Sequence, residues 1–205
     1  MAPPANPDSN PGVTLTPGSH VKVSLLRDPE FFAQIEAVAP RIQAGDRAAL
    51  PDIVRRSAEL HLAHICGNGD PFELGSARPL DLGHWAAHKL ESMTSHRLTH
   101  GEAVAVGMAL DLIYARRIGL LSAEWTDRIL ALLRRLGFEL FKPIRQVRGA
   151  KGPQDVLDGL EEFREHLGGQ LTIPMIKAPG VRLDVHEMKA SDVKAAMDEL
   201  MQRYG

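Results

Sequence analysis

Three consecutive segments in which apolar side chains recur at helical spacing limit this chain's fold more than anything else in its sequence. They run from His84 to about Thr94, from His100 to Ile118 with Gly119 after it, and from Ser122 to Leu136 with Gly137 closing. Stripes of this kind are buried by packing helix on helix, so the segments predict a helical core. Further helices fit around it. Asp28 can cap a helix that starts on Pro29 and turns Phe31, Phe32, Ile35 and Val38 inward. Another runs from about Pro51 to Ile65, with Ile53, Val54, Ala58, Leu62 and Ile65 inward and Gly67 as its stop. After a basic connector, Lys142 to Lys151, a helix spans Asp155 to Leu167 and ends at Gly168-Gly169. Gln170 to Ile176 and Val181 to Met188 read as two short strands around Pro179-Gly180, and a final helix follows from Ser191. The expected class is mainly α with a short β-hairpin near the C-terminus.

Two stretches fall outside this pattern. Met1 to about Gly18 carries five prolines and few large apolar side chains, so it is expected to be a disordered tail before a domain from residue 19 to 205. Gly67 to Gly83 is broken by glycine and proline yet keeps Phe72, Leu74, Leu80 and Leu82, the profile of a functional loop.

Composition excludes several function classes. With 24 basic and 26 acidic residues the net charge is -2, which gives no global field for nucleic acid or an anionic membrane. No apolar run approaches the roughly 20 residues of a membrane span, and no signal-peptide pattern opens the chain. Cys66 is the single cysteine, so no intrachain disulfide forms. A cytoplasmic setting with the thiol packed on an apolar helix face is the expectation.

The nine histidines include three close together, His84, His88 and His100. His84 and His88 are four apart and project from one helix face. The metallopeptidase pattern needs a glutamate after the first histidine, where Trp85 stands, so that reading fails. A short connection would fold His100 back beside His84. Two imidazoles suit zinc, which takes three protein ligands at an open site, so a third ligand must come from elsewhere. On spacing alone, surface histidines or satisfied polar groups in a bundle are the commoner outcome.

The runs Leu80-Asp81-Leu82-Gly83-His84-Trp85-Ala86-Ala87-His88-Lys89-Leu90-Glu91 and His100-Gly101-Glu102-Ala103-Val104-Ala105-Val106-Gly107-Met108 resemble the signature of 3-dehydroquinate synthases and related sugar-phosphate cyclases. The resemblance covers about Val21 to Leu140 and implies the helical C-terminal domain of that fold. It implies His84 and His100 as ligands of a divalent metal, zinc or cobalt, and His88 as a histidine that handles protons and phosphate. It implies Lys22 as an active-site lysine, within Lys22-Val23-Ser24-Leu25-Leu26-Arg27-Asp28. Such enzymes bind NAD in an N-terminal domain and convert a phosphorylated sugar-type substrate to a carbocycle with phosphate elimination, which makes them lyases.

The departures from the family pattern are as informative. The third ligand of the family, a glutamate three residues before the lysine, falls on Ser19. His61 stands about where the family has a lysine, Asp81 replaces an asparagine, and Arg78 lies one position from an expected arginine; these three are the candidate substrate-binding residues. Glu161-Glu162-Phe163-Arg164-Glu165-His166 replaces a late lysine-rich motif, leaving Arg164 or His166 as phosphate contacts or as a solvated helix face. No Gly-x-Gly-x-x-Gly element precedes the domain. The expectation is a divergent, truncated cyclase half, inactive alone, completed by a partner chain or a second copy. Glu91 and Glu102 are candidates to orient histidines, or plain helix-surface carboxylates. Two other classes stay open: a non-catalytic helical interaction protein derived from the cyclase, and a metal-dependent hydrolase with Glu102 as its base.

Overall fold

The computed structural model describes residues 17–67, 80–141, 144 and 152–205. Of the expectations above, Arg78, the tail up to residue 16, most of the glycine-broken loop and most of the basic connector lie outside these residues.

Eight α-helices and one hairpin make up the described chain: α1 (Pro17–Arg27), α2 (Pro29–Gln43), α3 (Leu50–Gly67), α4 (His84–Met93), α5 (His100–Arg117), α6 (Ala123–Arg135), α7 (Asp158–His166), β1 (Ile173–Ala178), β2 (Val181–Val185) and α8 (Ala190–Tyr204). Short 3-10 turns at Arg47–Ala49 and Gly152–Leu157 lead into α3 and α7. The strands pair antiparallel, Ile173 opposite Val185 and Met175 opposite Leu183.

Local chemistry places the boundaries. Asp28 accepts the backbone N–H of Phe31 at 2.9 Å with Pro29 behind it, so α2 begins there. Ser122 caps α6 through the N–H of Trp125. Glu102 accepts both the backbone N–H of Thr99 at 2.9 Å and its hydroxyl at 2.6 Å, which closes the start of α5.

The core is built around α5. Every residue from Ala103 to Ala115 is buried, with α1, α4, α6, α8 and β1 against it. Two glycines allow the closest approach. Gly83 lies in the left-handed region (φ 79°) just before α4, and a Cβ on Gly107 would fall 1.9 Å from its carbonyl oxygen. Backbone thus meets backbone where α4 starts. Gly18 does the same for α1, since a Cβ there would lie 2.8 Å from the carbonyl oxygen of Gly101.

Three expectations change. α1 forms a helix where the reading of the sequence assigned none; Gly18, at the end of the expected tail, is buried inside it, and Val21 through Leu26 are all buried. On α3 the inward stripe is Ile53, Ser57 and His64, so Ala58 faces out and Leu62 is 60% exposed. Cys66 is exposed rather than packed.

Candidate metal centre

The site sits where the starts of α4 and α5 meet α1. His84 is the first residue of α4 and His100 the first of α5, and the connection 94–99 turns the chain back between them. Ser95 and His96 adopt left-handed backbone (φ 51° and 56°) to make that reversal, closed by the 2.8 Å bond from the His96 N–H to the Glu91 carbonyl. Three imidazoles become neighbours as a result. Ring centroids stand 5.4 Å apart for His84 and His100, 5.6 Å for His84 and His88, and 6.4 Å for His88 and His100.

Each candidate ligand has its Nδ1 occupied, and the Nε2 of His84 faces Lys22 and Asp81. His84 Nδ1 donates at 3.4 Å to the Leu82 carbonyl, and His100 Nδ1 donates at 3.1 Å to Glu91. Lys22 reaches His84 from α1, its ammonium donating to Nε2 at 3.3 Å. That bond requires the unprotonated Nε2, the tautomer a metal ligand also needs. Burial, then the positive charges of Lys22, His88 and His100, hold the His84 pKa well below its ordinary value. His84 is therefore neutral, with a lone pair to offer. Asp81 completes the near neighbours, its Oδ1 3.9 Å from His84 Nε2.

Behind His84 lies Asp111, a fully buried carboxylate in α5. It accepts the Gly83 N–H and the Trp85 indole N–H, both at 2.7 Å, and burial pushes its pKa up to about 7. Asp111 pins the turn from which His84 projects. The sequence reading missed it, although a lone acidic residue in the apolar run Ala103 to Ala115 was the signal.

Of the other predicted residues, His88 is exposed and faces Phe163 of α7 at a ring distance of 6.4 Å. A cleft of about 180 Å³ opens there, with Lys89 and His166 on its walls. Arg164 pairs with Glu161 on the exposed face of the same helix. His61 lies on α3, its Nδ1 donating to the Ser57 carbonyl at 2.9 Å, within electrostatic reach of the buried His20. Glu91 orients His100, whereas Glu102 is spent on the cap of α5. Ser19 is half-buried on α1, beside Gly18 at the contact with Gly101. Among the described residues no three His, Cys, Asp or Glu side chains already converge on one point. The fit to a divalent cation is therefore two neighbouring imidazoles with a carboxylate nearby, in a sphere not yet closed.

A family model for the 3-dehydroquinate synthase C-terminal domain matches residues 18–150. The chain belongs to the 3-dehydroquinate synthase-like family, as its C-terminal domain. Similar curated proteins include a 2-epi-valiolone synthase of Actinosynnema mirum, 32% identical over 88% of this chain and 46% of that protein. A 3-dehydroquinate synthase of a Ruegeria species is 33% identical over 90% of this chain and 49% of its own. Among solved structures, a 2-epi-5-epi-valiolone synthase from Streptomyces hygroscopicus with NAD+ and Zn2+ bound superposes with a TM-score of 0.80 at 25% identity, over 91% of this chain and 50% of that one. The chain spans about half the length of the relatives it matches. Among the described residues no helix is long and apolar enough to cross a membrane.

Proposed function

We propose that this domain supplies the metal- and substrate-binding face of a sugar-phosphate cyclase, with His84 and His100 as metal ligands. The observation that carries the reading is the proximity of the His84, His88 and His100 rings, with the Nδ1 of both candidate ligands already hydrogen-bonded. A bound divalent ion would supply Lewis acidity, lowering the pKa of adjacent substrate hydroxyls.

The chain's own groups have separate tasks. The Lys22 ammonium, buried beside His84, would bind a substrate oxygen and favour its anionic form. His88, exposed at the mouth of the α4–α7 cleft, is placed to pass a proton to or from a substrate held there. Lys89 is paired with Glu162, so an anionic phosphate in that cleft would meet His88 and His166 first. Asp81 in the site and His61 on α3, with Arg78, remain the residues assigned to the substrate.

The redox steps of such a cyclase need NAD. The sheet among the described residues is one two-stranded hairpin, which offers no dinucleotide fold. A nucleotide-binding domain, joined in the same protein or contributed by a partner, would complete the enzyme, and the chain of 205 residues would not turn over by itself.

Equilibrium dialysis against Zn2+ tests the reading. One ion per chain is expected, lost in both His84→Ala and His100→Ala. Equal binding by wild type and both variants would refute it.

A further inference from the structure

We propose that the C-terminal half of α3 is an acid-released flap, seated on α1 through histidines at neutral pH and lifting from it as protons are taken up. Release needs no metal at His84 and His100; only its bearing on substrate rests on the assignment of His61.

α3 has a thin apolar hold for its length. It runs 18 residues, yet among its described side chains only Ile53, Ser57 and His64 are buried, and two of these are polar. It packs mainly on α1, α2 and the 3-10 turn before it, outside the ring of elements around α5. A helix with few buried apolar contacts opens locally before the whole domain does.

The seam between this half and α1 is polar instead. Ser24 is buried one turn after His20, and its hydroxyl donates back to the Val21 carbonyl at 2.7 Å. Arg27, at the end of α1, donates to His64 Nδ1, while His61 Nδ1 donates to the Ser57 carbonyl at 2.9 Å within α3. His20 is buried, and neither of its ring nitrogens meets a partner among the described residues. The charge that acts on it there is that of His61. Beyond the seam, Arg182 of β2 lies within electrostatic reach of Arg27 and is itself paired with Asp184 at 2.7 Å. Asp28 pairs with Arg56 at 2.6 Å, nearer the start of α3.

Protons on this seam act in one direction. On His20 a proton sets a charge in a buried place that offers no acceptor and holds a second imidazole close by, so water reached by moving α3 aside relieves it. On His64 Nδ1 a proton removes the lone pair that Arg27 uses and sets two cations against each other. Burial, then the charge of His61, holds the His20 pKa below its ordinary value of 6.5 while α3 is seated. The seated state is therefore fully favoured above pH 6.5 and loses ground below it, by at most about tenfold per pH unit for one proton. Release would carry His61 away from α1, unseating a residue assigned to the substrate.

Native-state hydrogen exchange of the 205-residue chain at pH 7.5 and 5.5, corrected for intrinsic rates and read by mass spectrometry, tests the flap. Amides of residues 57–66 should lose protection by about three- to tenfold at the lower pH, while those of α6, a helix without histidine, hold theirs. His20→Leu and His20→Gln should each shrink that loss, the second because it keeps a polar side chain and discards the proton. Equal protection of α3 at both pH values, or a fall in step with α6, would overturn the flap. So would a loss that both variants leave unchanged.

Discussion

Replacing His20 with leucine should stabilise this protein, and more so in acid. His20 is 8% exposed in α1, and neither ring nitrogen has a hydrogen-bond partner among the described residues. Each unmet buried polar group costs about 1–3 kcal/mol, and leucine fills a similar volume with none. A gain of about 1–3 kcal/mol at pH 7.5 is expected, or a Tm rise of about 2–12 °C for a domain of this size. Burial, then the charge of His61, lowers the His20 pKa in the fold. The unfolded chain binds the proton from about pH 6.5 downward while the folded chain resists it. Wild-type stability from this group is therefore whole above pH 6.5 and falls as the pH drops, by at most about 1.4 kcal/mol per unit. Leucine has no such slope, and the similar titration of His84 cancels between the two proteins. Urea denaturation at pH 7.5 and 5.5 would measure the gap. A His20→Leu protein no more stable than wild type, or a gap that stays constant with pH, would refute the reasoning.

Other consequences can be measured on the same preparation. Gly107→Ala drives a Cβ to within 1.9 Å of the Gly83 oxygen, and should cost about 3 kcal/mol or more and abolish Co2+ binding, as thermal melts and calorimetry would show. Asp111→Asn leaves an amide where two N–H donors need oxygens, a loss of about 1–3 kcal/mol in urea titrations. Because the Asp111 pKa is raised to about 7, wild-type stability falls as pH climbs from about 4 toward 7, so the cost of that change should be greatest at about pH 4 and smaller by pH 8. Glu102→Ala should remove about 1 kcal/mol through the cap of α5 while leaving Co2+ affinity unchanged; a loss of affinity would move Glu102 into the site.

Most helices were legible because their apolar stripes are one-sided and glycine ends them, as at Gly119 and Gly137. α1 was not legible, because Val21 to Leu26 is buried on every side and its alternation of Val and Leu with Lys and Ser mimics a strand. On α3 the polar Ser57 and His64 point inward, so counting apolar residues rotated the predicted face toward Leu62. Four-residue spacing placed His84 beside His88, and the short connection brought His100 back. The contact of Lys22 with His84 spans 62 positions and depends on how α1 docks, which periodicity does not encode. The roles of Glu91 and Glu102 divided only once their partners were placed.

The unequal setting of the two candidate ligands has a kinetic meaning. His84 is 8% exposed and tied through Gly83 to the most buried helix, whereas the His100 side chain is 48% exposed at a helix end held by Thr99 and Glu102. Helix ends fray locally, while a backbone contact in the core opens only with the whole domain. A cation shared by the two rings would detach from His100 first and linger on His84. Its residence time would be set by the looseness of one capped turn, and chelators would have to reach it from that side.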